Sequence, residues 1–233
     1  MPDHPAHYVN LVQKAREAAH MHSVSAVLGW DQETYMPAGG ADARAGQLSL
    51  IARMHHEMCT SKELGDLIAA CEADDRLNEG DTCEAANIRE MRRDYDKKTK
   101  LPSTLVSELT EATSRAQHAW KSARADANFA AFRPFLDKVL ELSREKARCL
   151  SDGSGELYDA LIDVYEPGVK ASEIEEVFTP LRKQISDLVR TIAENGKPPS
   201  TEVLERPVAP AKQEAYGRFV AESCGFSFER GRL

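Results

Sequence analysis

The residues in this chain best able to do chemistry are its histidines, its five cysteines and a surplus of carboxylates. His55-His56-Glu57 begins like an HExxH helix, in which two histidines one turn apart hold zinc and the glutamate between them polarises a water. The second ligand would have to stand four residues after His56, and that residue is Thr60. His55 and Cys59 share a helix face, but two ligands do not make a zinc site, so the pair reads as a helix face with one packed histidine. His20 and His22 differ by two and point to different faces, while His4, His7 and His118 join no cluster. Nothing matches a G-x-S-x-G elbow, a P-loop or a dinucleotide fingerprint. The residues by themselves therefore propose no catalytic group, no metal ligand and no cofactor.

Two further segments carry carboxylates. Glu156, Asp159, Asp163 and Glu166 stand at helical spacing opposite Tyr158, Leu161, Ile162 and Tyr165. Such a pattern predicts the solvated face of an amphipathic helix rather than a cation site. The run Gly29-Trp30-Asp31-Gln32-Glu33-Thr34-Tyr35-Met36-Pro37, followed by Gly39-Gly40 and Arg44, is less ordinary. A tryptophan beside Asp, Gln and Glu at a helix-to-loop junction can hold the loop by hydrogen bonds, or can line a cleft. The structural role is favoured, because buried polar groups at a turn usually satisfy backbone.

The elements that must position these residues are helices. Tyr8, Leu11, Ala15, Ala18 and His22 trace one face of a first helix, and Leu101, Leu105, Leu109, Ala112, Ala116 and Trp120 trace another. The longest stripe is Ile174, Val177, Phe178, Leu181, Ile185, Leu188 and Ile192. Shorter stripes run through 48–58, 64–71, 87–95 and 129–150, the last expected to start or kink at Pro134. Pro37-Ala38-Gly39-Gly40, 151–155 and Glu166-Pro167-Gly168 have turn chemistry, and Asn195-Gly196 before Pro198-Pro199 predicts a helix stop. Period-2 alternation begins only at Phe226-Ser227-Phe228. The fold class expected is all-α and multi-helix: a single helical region over 1–233, with a Pro-rich connection at 196–210.

Composition narrows the partners. With 38 Asp plus Glu against 30 Lys plus Arg, the formal charge is −8, which argues against nucleic acid. The apolar runs are too short for a membrane span, and Met1-Pro2-Asp3-His4-Pro5 has no signal-peptide pattern. Cys59, Cys71, Cys83, Cys149 and Cys224 form neither a disulfide framework nor a zinc ribbon, so reduced cysteines in a cytoplasmic protein are expected.

Trp30-Asp31-Gln32, then Met36-Pro37, Gly39-Gly40, Arg44 and Gln47, resembles the N-terminal signature of the Taq-type (thermostable) zinc metallocarboxypeptidase family. The likeness continues in order through Asn87-Ile88-Arg89-Glu90, Arg93-Asp94-Tyr95, Leu101-Pro102, Trp120 to Arg124, Phe129, Phe132, Pro134 and Leu136. It then takes in Tyr158-Asp159-Ala160-Leu161, Tyr165-Glu166-Pro167-Gly168, Gly225-Phe226, Phe228 and Gly231-Arg232-Leu233. Lys170 stands near where the family tends to have a helix-capping Thr. The resemblance implies a mostly helical, cytosolic, homodimeric zinc enzyme that trims peptide C-termini with broad specificity. Its zinc is held by an HExxH helix and a downstream Glu, with the motif's Glu as general base. In the family these motifs, and an HPF segment, lie beyond the position equivalent to Leu233. The chain is accordingly expected to be an interrupted N-terminal portion, inactive alone. Trp30, Asp31, Gln32, Met36, Pro37, Gly40 and Arg44 would be structural or cleft-lining residues, and peptide would be a substrate of the full-length family only. Apolar surface left bare would favour self-association or a complementary partner, the alternative being a stand-alone helical module that pairs with an intact peptidase subunit.

Overall fold

A computed structural model of the chain describes residues 4–197 and 199–232. Met1-Pro2-Asp3, Pro198 of the expected helix stop and Leu233 lie outside the described residues. The long helices are α1 (Ala6–Thr34), α2 (Ala41–Cys59), α3 (Lys62–Glu72), α5 (Cys83–Thr99), α6 (Ser103–Ala125), α7 (Phe129–Leu150), α9 (Ala171–Asn195) and α11 (Pro210–Ser223). Single turns α4 (Asp75–Asn78), α8 (Asp159–Ile162) and α10 (Glu202–Glu205) stand between them. There is no strand among the described residues, as the all-α reading expects. The chain divides into two compact units, Met1–Glu175 and Glu176–Leu233.

In the first unit, α1 packs on α2 and α3, α2 on α6, α6 on α7, and α3 on α5. Tyr8 and Leu11 of α1 enter a core with Ile68 and Cys71 of α3, Leu77 of α4 and Ile88 of α5. The predicted face of α1 is buried only over these first turns; Ala15 and Ala18 are half-buried and His22 is exposed. A second buried layer is made from small side chains, Ala45 of α2 with Ser114, Ala116 and Ala123 of α6, joined by Leu105 and by Leu142 and Ala147 of α7. Small residues let helix backbones approach closely, which suits a chain with only 6% aromatics.

Short polar side chains start the helices. Ser61, Asp74, Thr82 and Asn128 each accept a backbone N–H in the first turn of α3, α4, α5 and α7. Asn128 also closes the preceding helix, its N–H reaching the Ala123 carbonyl at 2.8 Å while Ala127 takes φ 50°. This is a Schellman closure with alanine where glycine is usual. The cap sets the start of α7 at Phe129, ahead of Pro134, so the helix does not begin at the proline and runs on past it; the ring removes one backbone bond near the N-terminus.

The expected helix over 156–166 reduces to the single turn α8, because its carboxylates bond to backbone instead. Asp159 accepts the N–H groups of Glu156 and Ala171, and Asp163 that of Gly168. Before α9, Lys170 offers no side-chain acceptor, but its own N–H donates to Glu173 at 2.8 Å, half of a capping box.

The second unit has no buried residue among the described ones. Along α9, Val177, Phe178, Leu181, Ile185, Leu188 and Ile192 are between 40% and 62% exposed, so the strongest apolar stripe in the sequence is uncovered. The helix stops at Asn195 as expected, and the need for glycine at 196 is one of space: a Cβ there would come within 2.3 Å of the Ile192 carbonyl oxygen. Phe226-Ser227-Phe228 is not a strand. Gly225 at φ 85° closes α11, the Phe226 N–H bonds back to Ala221, and the Phe228 ring turns under Arg218 at 4.1 Å.

Two substitutions test these assignments by denaturation followed by circular dichroism. Ile68→Ala empties a fully buried site and is expected to cost about 2–5 kcal/mol. Ala127→Gly removes the strain of a left-handed alanine and is expected to stabilise by about 1 kcal/mol.

Candidate functional site at the end of the first helix

The segment singled out in the sequence forms the last turns of α1 and the entry to α2. Helix α1 continues through Trp30, Asp31 and Gln32 to Thr34, whose hydroxyl bonds back to the Trp30 carbonyl at 2.7 Å. The Asp31 carbonyl then accepts both the Tyr35 and Met36 N–H groups. Pro37 leads into a 3-10 turn, Ala38–Gly40. The Met36 side chain lies over Gly40, where a Cβ would meet its Cγ at 3.2 Å.

Arg44, in the first turns of α2, reaches back across this turn. Its Nη2 meets Asp31 Oδ2 at 2.5 Å, its Nη1 donates to the Leu28 carbonyl, and its Nε donates to Gln47 at 3.0 Å. Every nitrogen of a largely buried guanidinium is therefore used, which is the condition for burying that charge at small net cost. Gln32 accepts the buried Ser114 hydroxyl of α6 at 2.7 Å. Glu33 holds Lys121 at 2.7 Å and Gln117 at 2.9 Å, both also on α6, and the Lys121 contact draws its carboxyl below the usual range. Asp31, Gln32, Glu33 and Arg44 thus bind three helices to one another. Trp30 and Tyr35 meet edge to face at 5.4 Å and stay open to solvent, 48% and 76% exposed. Ser114, Gln117 and Lys121 of α6, outside the segment singled out in the sequence, complete this cluster; only the fold brings them within its reach.

The histidines are used differently. His56 is buried, with Nε2 2.8 Å from the Leu101 carbonyl between α5 and α6. Glu57 pairs with Arg53 on its own helix. The His55 ring lies 5.6 Å from that of His22 and its Nε2 is 3.5 Å from Cys59 Sγ. Burial lowers the His55 pKa, and Lys98, His22 and His56 lower it further. No group of three or more His, Cys, Asp or Glu among the described residues could hold a metal ion. The residues present do not fit zinc.

Asp163, read from the sequence as part of a solvated stripe, is a tie between elements. It pairs with Lys97 of α5, lies 3.9 Å from Arg93 and accepts the Gly168 N–H, and Lys97 draws its carboxyl below the usual range. An aspartate a few residues before Pro167-Gly168 is the signal that such a turn offers.

The helical architecture is a known one: over 98% of this chain it superposes on the crystal structure of BsuCP with a TM-score of 0.86 at 23% identity, covering 46% of that chain. Residues 10–233 match the carboxypeptidase Taq (M32) metallopeptidase family, and the chain belongs to that family. Thermostable carboxypeptidase 1 of Thermus thermophilus is 35% identical over 236 aligned residues, taking in 98% of this chain and 46% of that protein. Carboxypeptidase 1 of Bacillus subtilis is 26% identical over 94% of this chain and 43% of its own length. The M32 carboxypeptidase of Deinococcus radiodurans superposes with a TM-score of 0.75 at 30% identity, over 98% of this chain and 45% of that one. The chain spans less than half the length of each of these relatives. No helix among the described residues is long and apolar enough to cross a membrane.

The clamp is tested by removing its centre. Arg44→Met leaves the Leu28 carbonyl and the Asp31 carboxylate without their partner and is expected to cost about 1–3 kcal/mol. Asp31→Asn keeps an acceptor and should cost less. In a double-mutant cycle the two losses should sum to more than the double variant shows.

Proposed function

We propose that these residues supply the helical part of a zinc metallocarboxypeptidase that releases C-terminal amino acids from peptides. In this reading they do not perform that hydrolysis by themselves. The observation that carries it is the continuous family match over residues 10–233, joined to coverage of less than half the length of the relatives. Metal-assisted peptide hydrolysis needs a Lewis acid and a base to activate water. The sequence has no HExxH, and His56, the residue that begins the nearest approach to it, is committed to a backbone carbonyl.

In this reading Asp31, Gln32, Met36, Pro37, Gly40 and Arg44 serve the fold. Trp30, half exposed beside Tyr35, is the member of the set with surface to offer a groove. The family likeness further supports a cytosolic homodimer as the setting of the complete enzyme. A second reading, a helical module that pairs with an intact peptidase subunit or with itself, is favoured by one observation. The α9 stripe presents Val177, Phe178, Ile185, Leu188 and Ile192 to solvent on one face of a long helix.

The purified 233-residue chain is expected to bind no stoichiometric zinc and to release no C-terminal amino acid from blocked dipeptides. Metal analysis giving about one zinc per chain, together with chelator-sensitive release, would refute this reading.

A further inference from the structure

One cavity of the first unit has a lining unlike the rest of the protein. It is a half-open pocket of about 410 Å³ between α1, α2, α5, α6 and α7. Its titratable lining residues are His22, His55, His56, Lys98 and Lys146, and no carboxylate lines it. In a chain with 38 acidic residues against 30 basic ones, that is a local reversal of sign. Lys146 has no carboxylate partner among the described residues. Lys98 has a loose one, Asp94 at 3.5 Å one turn away on the same helix. His56 is already bonded to the Leu101 carbonyl, which leaves the two lysines, with His22 and His55, as the groups able to meet a ligand. The depressed pKa of His55 agrees with the geometry, since Lys98, His22 and His56 all act on it in the same direction after burial.

The remaining wall is aliphatic: Leu48, Leu101, Leu105, Val106 and Leu109. No Phe, Tyr or Trp lines the cavity, and there is no arginine fork, which phosphate favours. A second cavity of about 380 Å³ shares His22, His55 and Lys98 and continues along Ala15, Ala18 and Leu64, where Asp94 and Tyr95 join the lining. The volume lies within the range of small-molecule sites.

We propose that this cavity binds a small aliphatic carboxylate, its charged end met by Lys98 and Lys146 and its hydrocarbon laid against Leu105, Val106 and Leu109. The site is independent of the peptidase reading and uses none of the residues of the Arg44 clamp.

The test is calorimetric titration of the full chain with octanoate at low ionic strength, with octanamide in parallel. Octanoate is expected to bind one per chain, and octanamide about tenfold more weakly, the loss typical of a charge-assisted contact. Lys146→Met and Lys98→Met should each weaken octanoate by a similar factor with the helical circular dichroism unchanged, and Lys146→Arg should restore much of it. Should Lys98→Met disturb the fold, the two Lys146 variants decide the matter. Equal affinity for octanoate and octanamide, no heat of binding at millimolar octanoate, or folded lysine variants that bind as the parent does would each overturn the proposal. Displacement of octanoate by inorganic phosphate at the same concentration would overturn its aliphatic part.

Discussion

The guanidinium of Arg44 sits where the first long helix gives way to the second, and the first unit depends on its being fully bonded there. Helix α1 has few large apolar side chains to fix its direction beyond Tyr8 and Leu11, and its exposed middle turns do little to hold it. At its far end it is held by polar contacts: Asp31 and the Leu28 carbonyl on Arg44, Gln32 on Ser114, Glu33 on Lys121. Such contacts are directional, so they fix the axial position and rotation of α1 against α2 and α6 in a way that an alanine-rich interface cannot. The same bonds lose most if any partner is removed, because a buried donor or acceptor left alone loses its water as well.

Much of this architecture was legible from the residues. The stripes at 48–58, 64–71, 87–95 and 129–150 correspond to α2, α3, α5 and α7, because apolar spacing and the polar caps at Ser61, Thr82 and Asn128 point the same way. The readings that failed did so where side chains compete with the helix for backbone groups. Asp159 and Asp163 have helical spacing, but each carboxylate accepts a backbone N–H, so what periodicity reads as a solvated face is a tied-down turn. Phe226-Ser227-Phe228 alternates as a strand would, yet the glycine before it closes a helix. At the Trp30–Arg44 segment the sequence indicated a polar junction but not its third member. Nothing local connects Gln32 to Ser114 or Glu33 to Lys121, more than eighty residues away.

The two units differ in what orders them. The first has a core and a clamp, whereas residues 176–232 hold amphipathic helices with nothing buried among the described positions. Backbone ordering costs about 1–2 kcal/mol per residue, and half-exposed valines and leucines return little of it. The α9 stripe is thus an uncovered apolar face, in a chain that spans less than half the length of its relatives.

The edge-to-face pair of Trp30 and Tyr35 has a practical consequence. The chain has two tryptophans, Trp30 at the end of α1 and Trp120 on α6 with Arg124 lying 5.4 Å over its ring. Both indoles belong to helices joined by the Gln32 and Glu33 contacts, and neither enters the Tyr8–Ile68 core or residues 176–232. Tryptophan emission therefore reports on one end of the first unit. A quenching or blue shift of tryptophan emission in this protein would describe the junction of α1 with α6.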